Sequence, residues 1–344
     1  MRRNRSSGRR TRRIRAGSAA VLTAAPPPAP YTAVGLGRDP RTQSSTPGES
    51  FTDRKRFATM THTIKGAEIA RSIRTRVAER VAAAGGQVPG LATVLIGDDP
   101  ASAVYVAAKR RAVREAGMRD IHRHLRHQAT QNEVAAVIDE LAGDPDVSGI
   151  LLQLPLPAQL DAAPLIDRIP VTKDVDGLTT ASAGRLARGE RGMRPCTPNG
   201  VIELLDAEGI ELQGAHVAVV GWGQLVGRPL SQLLLRRGAT VTVAHEFTAD
   251  LTAVTRPADV VVVATGVRGL IGPEHVKPGA TVVDVGIHRT PDGLAGDVRA
   301  AELDGIAGRI TPVPGGVGPM TIAMLLVNTL QAAEWGAERD AVPA

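Results

Sequence analysis

Apolar residues first become periodic beyond residue 65. Ile69, Ile73, Val77 and Val81 recur every four positions, one stripe along a helix, and Gly85-Gly86 ends it. Residues 91–96 form a short apolar run closed by Gly97-Asp98-Asp99-Pro100, a buried strand meeting a turn. Ser102 is expected to be the N-cap of a helix that Gly117 stops. A helix over about 133–141 then leads to a second buried strand at 147–152. A second series follows: helix 199–207, strand 216–220, helix 225–237 stopped by Gly238, and strands 239–244, 259–264 and 280–285. The last element, 320–335, is a helix with apolar residues on most faces, so it should be buried. Strands alternating with helices predict parallel sheets with crossovers, hence an α/β fold in two lobes. We divide the chain at 60–197 plus the returning helix 317–338 for one lobe, and at 198–316 for the other.

Composition narrows the picture. The 344 residues are 43% hydrophobic and 22% charged, a globular balance, and with 2% aromatics the core must be aliphatic. One cysteine excludes an internal disulfide and a Cys-rich zinc site, and points to a reducing compartment, the cytoplasm. The uncharged run 310–333 carries three Pro and three Gly in its first half, leaving about 14 helical residues against the ~20 that span a bilayer. No membrane partner is expected.

The net charge of +6 belongs to the first 59 residues, which are Arg-rich and acid-poor; the remainder is slightly negative, so nucleic acid is not an expected partner. That extension has no helical or strand period and a Pro26–Pro28 cluster, the composition of a disordered segment. It reads as an over-long start upstream of Met60, as a cleaved targeting segment, or as a functional basic arm.

Two places carry chemistry. Strand 216–220 runs into Gly221-Trp222-Gly223-Gln224-Leu225-Val226-Gly227 and then a helix. Glycines there permit a tight turn and let backbone N–H groups reach a pyrophosphate, as in Rossmann-like dinucleotide domains. Glu246, past the next strand, is placed to bond the adenosine ribose hydroxyls, and Thr265-Gly266 ends a third strand on the crevice side. The second place centres on Tyr105 and Lys109, four apart on one helix face. A lysine shielded from water beside a phenol is a candidate proton carrier. Gln153 leaves the carboxyl end of a buried strand, Asp174 and Asp176 share a glycine turn, and Thr311–Pro319 is a Pro/Gly loop opening onto a helix.

Together, Tyr105-Val-Ala-Ala-Lys109, Leu152-Gln153-Leu154-Pro155-Leu156, Lys173-Asp-Val-Asp-Gly-Leu178, Pro195-Cys-Thr-Pro198 and Pro312-Val-Pro-Gly-Gly-Val-Gly-Pro-Met-Thr321 make the chain resemble the bifunctional methylenetetrahydrofolate dehydrogenase/methenyltetrahydrofolate cyclohydrolase family. The resemblance implies a folate-handling catalytic lobe and an NAD(P) lobe with the cleft between them. It also implies oxidation of 5,10-methylenetetrahydrofolate, hydrolysis of the methenyl product to 10-formyltetrahydrofolate, a homodimer, and no metal. It carries over Lys109 as proton carrier, Tyr105 as its positioning partner, Gln153 as the group that tunes its ammonium, and Asp176 as the pterin contact. Ser102, Pro314, Gly315 and Gly316 would shape the folate pocket, and Gly221, Trp222, Gly223, Thr265 and Ile287 the cofactor pocket.

The chain departs from the resemblance at one point. Where the family usually has Gly-Arg-Ser and His-Ser to hold the 2′-phosphate of NADP, this chain has Trp222, Gly223 and Glu246. The expectation is a shift from the family default, NADP, toward NAD, with Arg268 or Arg289 as candidate substitutes for the missing arginine. Two other readings remain at this stage: a non-catalytic folate- or nucleotide-binding paralogue, and a two-domain dehydrogenase of shikimate type.

Overall fold

A computed structural model describes residues 60–85 and 87–340; the expectations for the N-terminal extension lie outside them. In chain order the first part runs β1 (His62–Thr63), α1 (Gly66–Ala83), β2 (Gly90–Ile96), α2 (Pro100–Glu115), β3 (Arg119–Leu125), α3 (Gln131–Gly143), β4 (Gly149–Leu152), α4 (Ala162–Ile166) and α5 (Thr180–Arg188). It continues with α6 (Cys196–Ala207), β5 (His216–Val220), α7 (Gly227–Arg236), β6 (Thr240–Ala244), α8 (Leu251–Thr255), β7 (Val260–Val263), β8 (Thr281–Asp284), β9 (His288–Thr290), β10 (Gly293–Ala295), β11 (Arg309–Ile310) and α9 (Val317–Asp340).

Two parallel sheets organise these elements. The smaller has the order β3-β2-β4, and the larger β1-β11-β8-β7-β5-β6. Every residue of β2, β4, β7 and β8 is buried, which is why these strands read as continuous apolar runs rather than alternating ones. In the larger sheet the chain steps from β5 out to β6 and then back to β7 on the other side of β5. The carboxyl end of β5 is therefore the switch point where crevices open in such sheets, and the glycine turn leaves from it. Helix α9 packs against α1, α6 and α2 and reaches β2 and β4, so it is buried through most of its length.

Several expectations are corrected. Ser102 does not cap α2: Asp99 does, its Oδ2 accepting the Ser102 N–H at 2.7 Å with Pro100 opening the helix. Pro at the first helical position is pre-organised and shifts the cap one turn earlier. The helix expected from 225 begins at Gly227, and the one expected at 133 begins at Gln131, capped by the Thr130–Glu133 box. Strand β3 has no counterpart in the apolar pattern. Its sequence, Arg-Asp-Ile-His-Arg-His-Leu, is that of a half-exposed edge strand, yet it pairs with β2 from Gly90↔Arg119 to Ile96↔Leu125. His62 and Thr63, expected with the first lobe, pair with Arg309 and Ile310 in the larger sheet. Two-residue strands such as β1 and β11 are too short to show a period.

Candidate active site

The first wall of the site comes from α2. The turn after β2 and the Asp99 cap fix the start of this helix, and Ser102, Tyr105 and Lys109 then follow on its inner side. Lys109 is 8% exposed, an unusual state for lysine, and its Nζ donates to Gln153 Oε1 at 3.1 Å. Gln153 is held at the end of β4 by its backbone N–H, which donates to Val94 O at 2.9 Å, while its amide donates to Leu154 O. The Tyr105 phenol is half-buried, and burial pushes its pKa above the ordinary tyrosine value.

The two carboxylates after β4 divide their work. Asp174 is buried and structural, accepting the N–H groups of Leu178 at 3.1 Å and Thr179 at 2.9 Å. Asp176 is half-buried: burial pushes its carboxyl above the usual range, and the nearby Lys109 charge pulls it back. The turn that carries them needs Gly177 after Asp176, at φ +69°, because a Cβ there would stand 2.7 Å from the Arg194 carbonyl carbon. Cys196 sits behind Asp176 with its thiol donating to Val175 O at 3.3 Å. Burial first, and the Asp176 charge next, hold that thiol well above its ordinary pKa, in the protonated form.

The second wall comes from the larger sheet. Gly221, at φ +110°, lies so close to Ala264 that a Cβ would be 2.2 Å from its carbonyl oxygen; a Cβ on Gly227 would be 1.9 Å from Gly221 O. These two glycines serve close packing. A Cβ on Gly223 would meet nothing within 4 Å, so open space lies over the middle of the turn, as the phosphates of a dinucleotide require. Trp222 is exposed, and the Arg228 guanidinium lies 5.5 Å from its ring while Arg228 Nε donates to Trp222 O at 3.1 Å. Glu246 is exposed just beyond β6, whose end is tied to the turn by Gly221 N–H donating to Ala244 O at 2.8 Å.

Thr265 and Ile287 follow β7 and β8. A Cβ on Gly318 would come 3.9 Å from Ile287 Cδ1, so Ile287 faces the loop that opens α9. That loop is packed from below: Ala67 N–H donates to Gly315 O at 2.8 Å, and a Cβ on Gly66 would stand 2.1 Å from Gly316 O. Gly315 itself has φ +101°, and the Val313-Pro314 peptide is cis, as is Leu154-Pro155.

Lys109, Gln153 and Asp176 thus come together, with Tyr105 one turn back along α2, and Ile287 lies against the start of α9. Gly221, Trp222, Gly223 and Glu246 form a separate group at the ends of β5 and β6. Arg289 does not join that group. Its charge acts instead on Asp99 and Tyr105, at and on α2. Arg228, Cys196, Asp284 and Asp297 were not legible as site residues. Arg228 alone had a signal, since it follows the turn on the first turn of α7.

Sequence models of the tetrahydrofolate dehydrogenase/cyclohydrolase catalytic domain and NAD(P)-binding domain match residues 64–176 and 195–337. The chain belongs to the tetrahydrofolate dehydrogenase/cyclohydrolase family. A curated relative, the bifunctional protein FolD 2 of Frankia alni, is 62% identical over 278 residues, covering 80% of this chain and 96% of the relative. Among solved structures, the bifunctional FolD enzyme of Campylobacter jejuni aligns with TM-score 0.79 at 42% identity, over 80% of this chain and 99% of its own. The Trypanosoma brucei FolD, solved with NADP and an inhibitor, aligns with TM-score 0.78 at 36% identity, over 81% of this chain and 99% of its own. Family membership settles the α/β fold in two domains and a dinucleotide-binding lobe. Among the described residues no helix is long and apolar enough to cross a membrane.

Proposed function

We infer that this chain is a bifunctional enzyme. It oxidises 5,10-methylenetetrahydrofolate with NAD(P)+ and hydrolyses the resulting 5,10-methenyltetrahydrofolate to 10-formyltetrahydrofolate. Beyond family membership, the observation that carries the hydrolytic half is the buried Lys109 Nζ fastened to Gln153 Oε1, with Asp176 within reach of its charge. A module that only bound folate would gain nothing from a lysine buried beside two groups that orient it.

The residues divide by lobe. The folate-handling lobe spans 60–197 with 317–338, except that His62 and Thr63 pair with the other sheet, and the dinucleotide lobe spans 198–316. Asp176 bonds the pterin. Ser102, Tyr105 and the Pro314–Gly316 loop enclose the folate. Gly221, Trp222 and Gly223 hold the dinucleotide phosphates, and Thr265 and Ile287 flank the nicotinamide. The bound dinucleotide supplies a hydride acceptor.

In hydrolysis, water adds to the cationic methenyl carbon while Lys109, as the amine, takes one of its protons. The lysine returns a proton to N5 as the carbon–N5 bond breaks and the carbonyl forms, and the second water proton is released. Gln153 Oε1 fixes the direction of Nζ, and Tyr105 walls the amine off from water.

We further propose that NAD is preferred over NADP. A 2′-phosphate beside Glu246 meets a like charge, and the position that the family fills with arginine is Trp222. A charge-assisted pair of that kind is worth ~1.5–3 kcal/mol. Arg228 is the nearby cation, but its Nε is already committed to Trp222 O and its plane to the Trp222 ring. We place the enzyme in the cytoplasm, consistent with its single buried thiol, and as a homodimer through the cofactor lobe, where β6 ends the larger sheet and Phe247 lies 83% exposed beside it.

Spectroscopic assay of methenyltetrahydrofolate formation and decay, with each nicotinamide in turn, tests the reading. Formation and hydrolysis by one preparation are expected; absence of both sinks it. A hundredfold preference for NADP overturns the cofactor assignment alone.

A further inference from the structure

The loops that follow β7 and β8 are joined by a carboxylate that reaches no solvent. Asp297, just after the β9–β10 hairpin, is 0% exposed. Its Oδ2 accepts the Thr265 N–H at 2.7 Å, the Thr265 hydroxyl at 2.9 Å and the Gly266 N–H at 2.9 Å. Its Oδ1 lies 2.7 Å from His288 Nε2. One side chain therefore grips Thr265, two residues past β7, and His288, the neighbour of Ile287 and the first residue of β9.

A second buried carboxylate supports the first. Asp284 Oδ1 accepts the N–H groups of Gly286 at 2.9 Å and Asp297 at 3.0 Å, and its Oδ2 accepts that of Val298 at 3.0 Å. Glycines are required on both sides. A Cβ on Gly286 would stand 2.1 Å from Asp297 Oδ1, and one on Gly296 would stand 1.8 Å from Asp284 Oδ2. Buried carboxylates are costly unless their oxygens are fully bonded, and an apolar filling would cover the same space without that cost. What an apolar filling cannot supply is direction. Beyond the ends of parallel strands no backbone ladder fixes the separation of two loops, whereas a carboxylate bonded through both oxygens does so.

We propose that Asp297 is a positioning residue for hydride transfer, setting the separation of the Thr265 and Ile287 walls without acting on hydrolysis at Lys109. The proposal rests on the function given above. Asp297 makes no hydrogen bond to Lys109, Gln153 or Asp176 among the described residues, so the two half-reactions are separable at this side chain. Misplacing reacting atoms by about 1 Å costs on the order of a hundredfold in rate, ample for a loop shift to be read in one activity and not the other.

The experiment measures both activities on the same preparations of wild type, Asp297→Asn, His288→Leu and His288→Gln. Asp297→Asn should keep its cyclohydrolase rate within about twofold while dehydrogenase kcat/KM falls by at least about tenfold. His288→Leu, which removes one anchor, should show a smaller dehydrogenase loss, and His288→Gln, which restores an N–H donor, should recover most of it. A parallel loss of both activities in Asp297→Asn, or an unaltered dehydrogenase, overturns the proposal. Should Asp297→Asn fail to fold by circular dichroism, equal dehydrogenase rates in the two His288 variants overturn it instead. A wild type lacking dehydrogenase activity fails the functional reading and this proposal with it; an active wild type confines any failure to Asp297.

Discussion

Lys109 shows what a single residue can and cannot reveal before the chain is folded. Its spacing from Tyr105 put the two on one helix face, but a Tyr/Lys pair four apart is ordinary on surfaces. Only the fold brings Gln153 Oε1 to within 3.1 Å of Nζ, from a strand 44 residues further along. Replacing the amine by a thioether of similar length keeps the packing and removes the proton carrier. Lys109→Met is therefore expected to lose cyclohydrolase activity by at least about a hundredfold, the usual weight of a positioned acid/base group, with an unchanged circular dichroism spectrum. A cyclohydrolase rate unaffected by that change would remove Lys109 from the mechanism. Glu246 is the other residue whose meaning is electrostatic. Glu246→Ser removes the like charge facing a 2′-phosphate, and kcat/KM with NADP should rise by about tenfold while that with NAD falls or holds, read in paired steady-state assays.

At the scale of elements, the folate-side loop depends on a helix it does not belong to. Residues 314–316 rest on the first turn of α1, where Gly66 has no room for a side chain. Gly66→Ala would gain roughly 1 kcal/mol of helix propensity at an exposed site, yet here its Cβ would sit 2.1 Å from Gly316 O. The loop must move or the helix must. The expected result is a raised KM for the folate, by about fivefold or more, with thermal stability unchanged or lower; a more stable variant with unchanged KM would show that the loop yields freely. The same scale explains what the apolar pattern did and did not disclose. Strands β2, β7 and β8 were legible because they are buried on both faces, whereas β3 is a charged edge whose identity comes from its partner. The capping of α2 by Asp99 rather than Ser102 turned on Pro100, a local signal that the residue run contained and that the Ser obscured.

For the whole molecule, the buried carboxyl of Asp284 sets a dependence of stability on pH. Burial raises Asp284 to about 6 in spite of three backbone donors. A carboxyl whose folded value lies above its unfolded one binds its proton more tightly in the native state. Its stabilising effect is complete below about pH 4 and is lost as pH rises through about 6, amounting to roughly 3 kcal/mol across that window. Carboxylates held low, such as Asp259 beside Lys277 and Asp139 beside Arg168, act in the opposite sense, but they are common to wild type and variant. Denaturant unfolding of wild type and Asp284→Asn at pH 4 to 7 should show the difference in stability shifting against the wild type as pH rises. A difference independent of pH would show that Asp284 does not titrate in this range.

The doubly buried strands, the dinucleotide turn, the Tyr105–Lys109 face and the family were settled by the linear sequence, because each depends on spacings of fewer than about ten residues or on short contiguous motifs. The sequence also exposed the departure at Trp222 and Glu246. The tertiary structure alone decided that Asp174 is the fully buried carboxylate of the pair, that the Arg289 charge acts on Asp99 and Tyr105, and that Asp297 joins two loops. The last two bring together residues far apart in sequence, whereas the bonds of Asp174 are local and depend on its burial. Their energies come from burial and from hydrogen-bond partners that exist only once the sheets have assembled, and no local pattern encodes them.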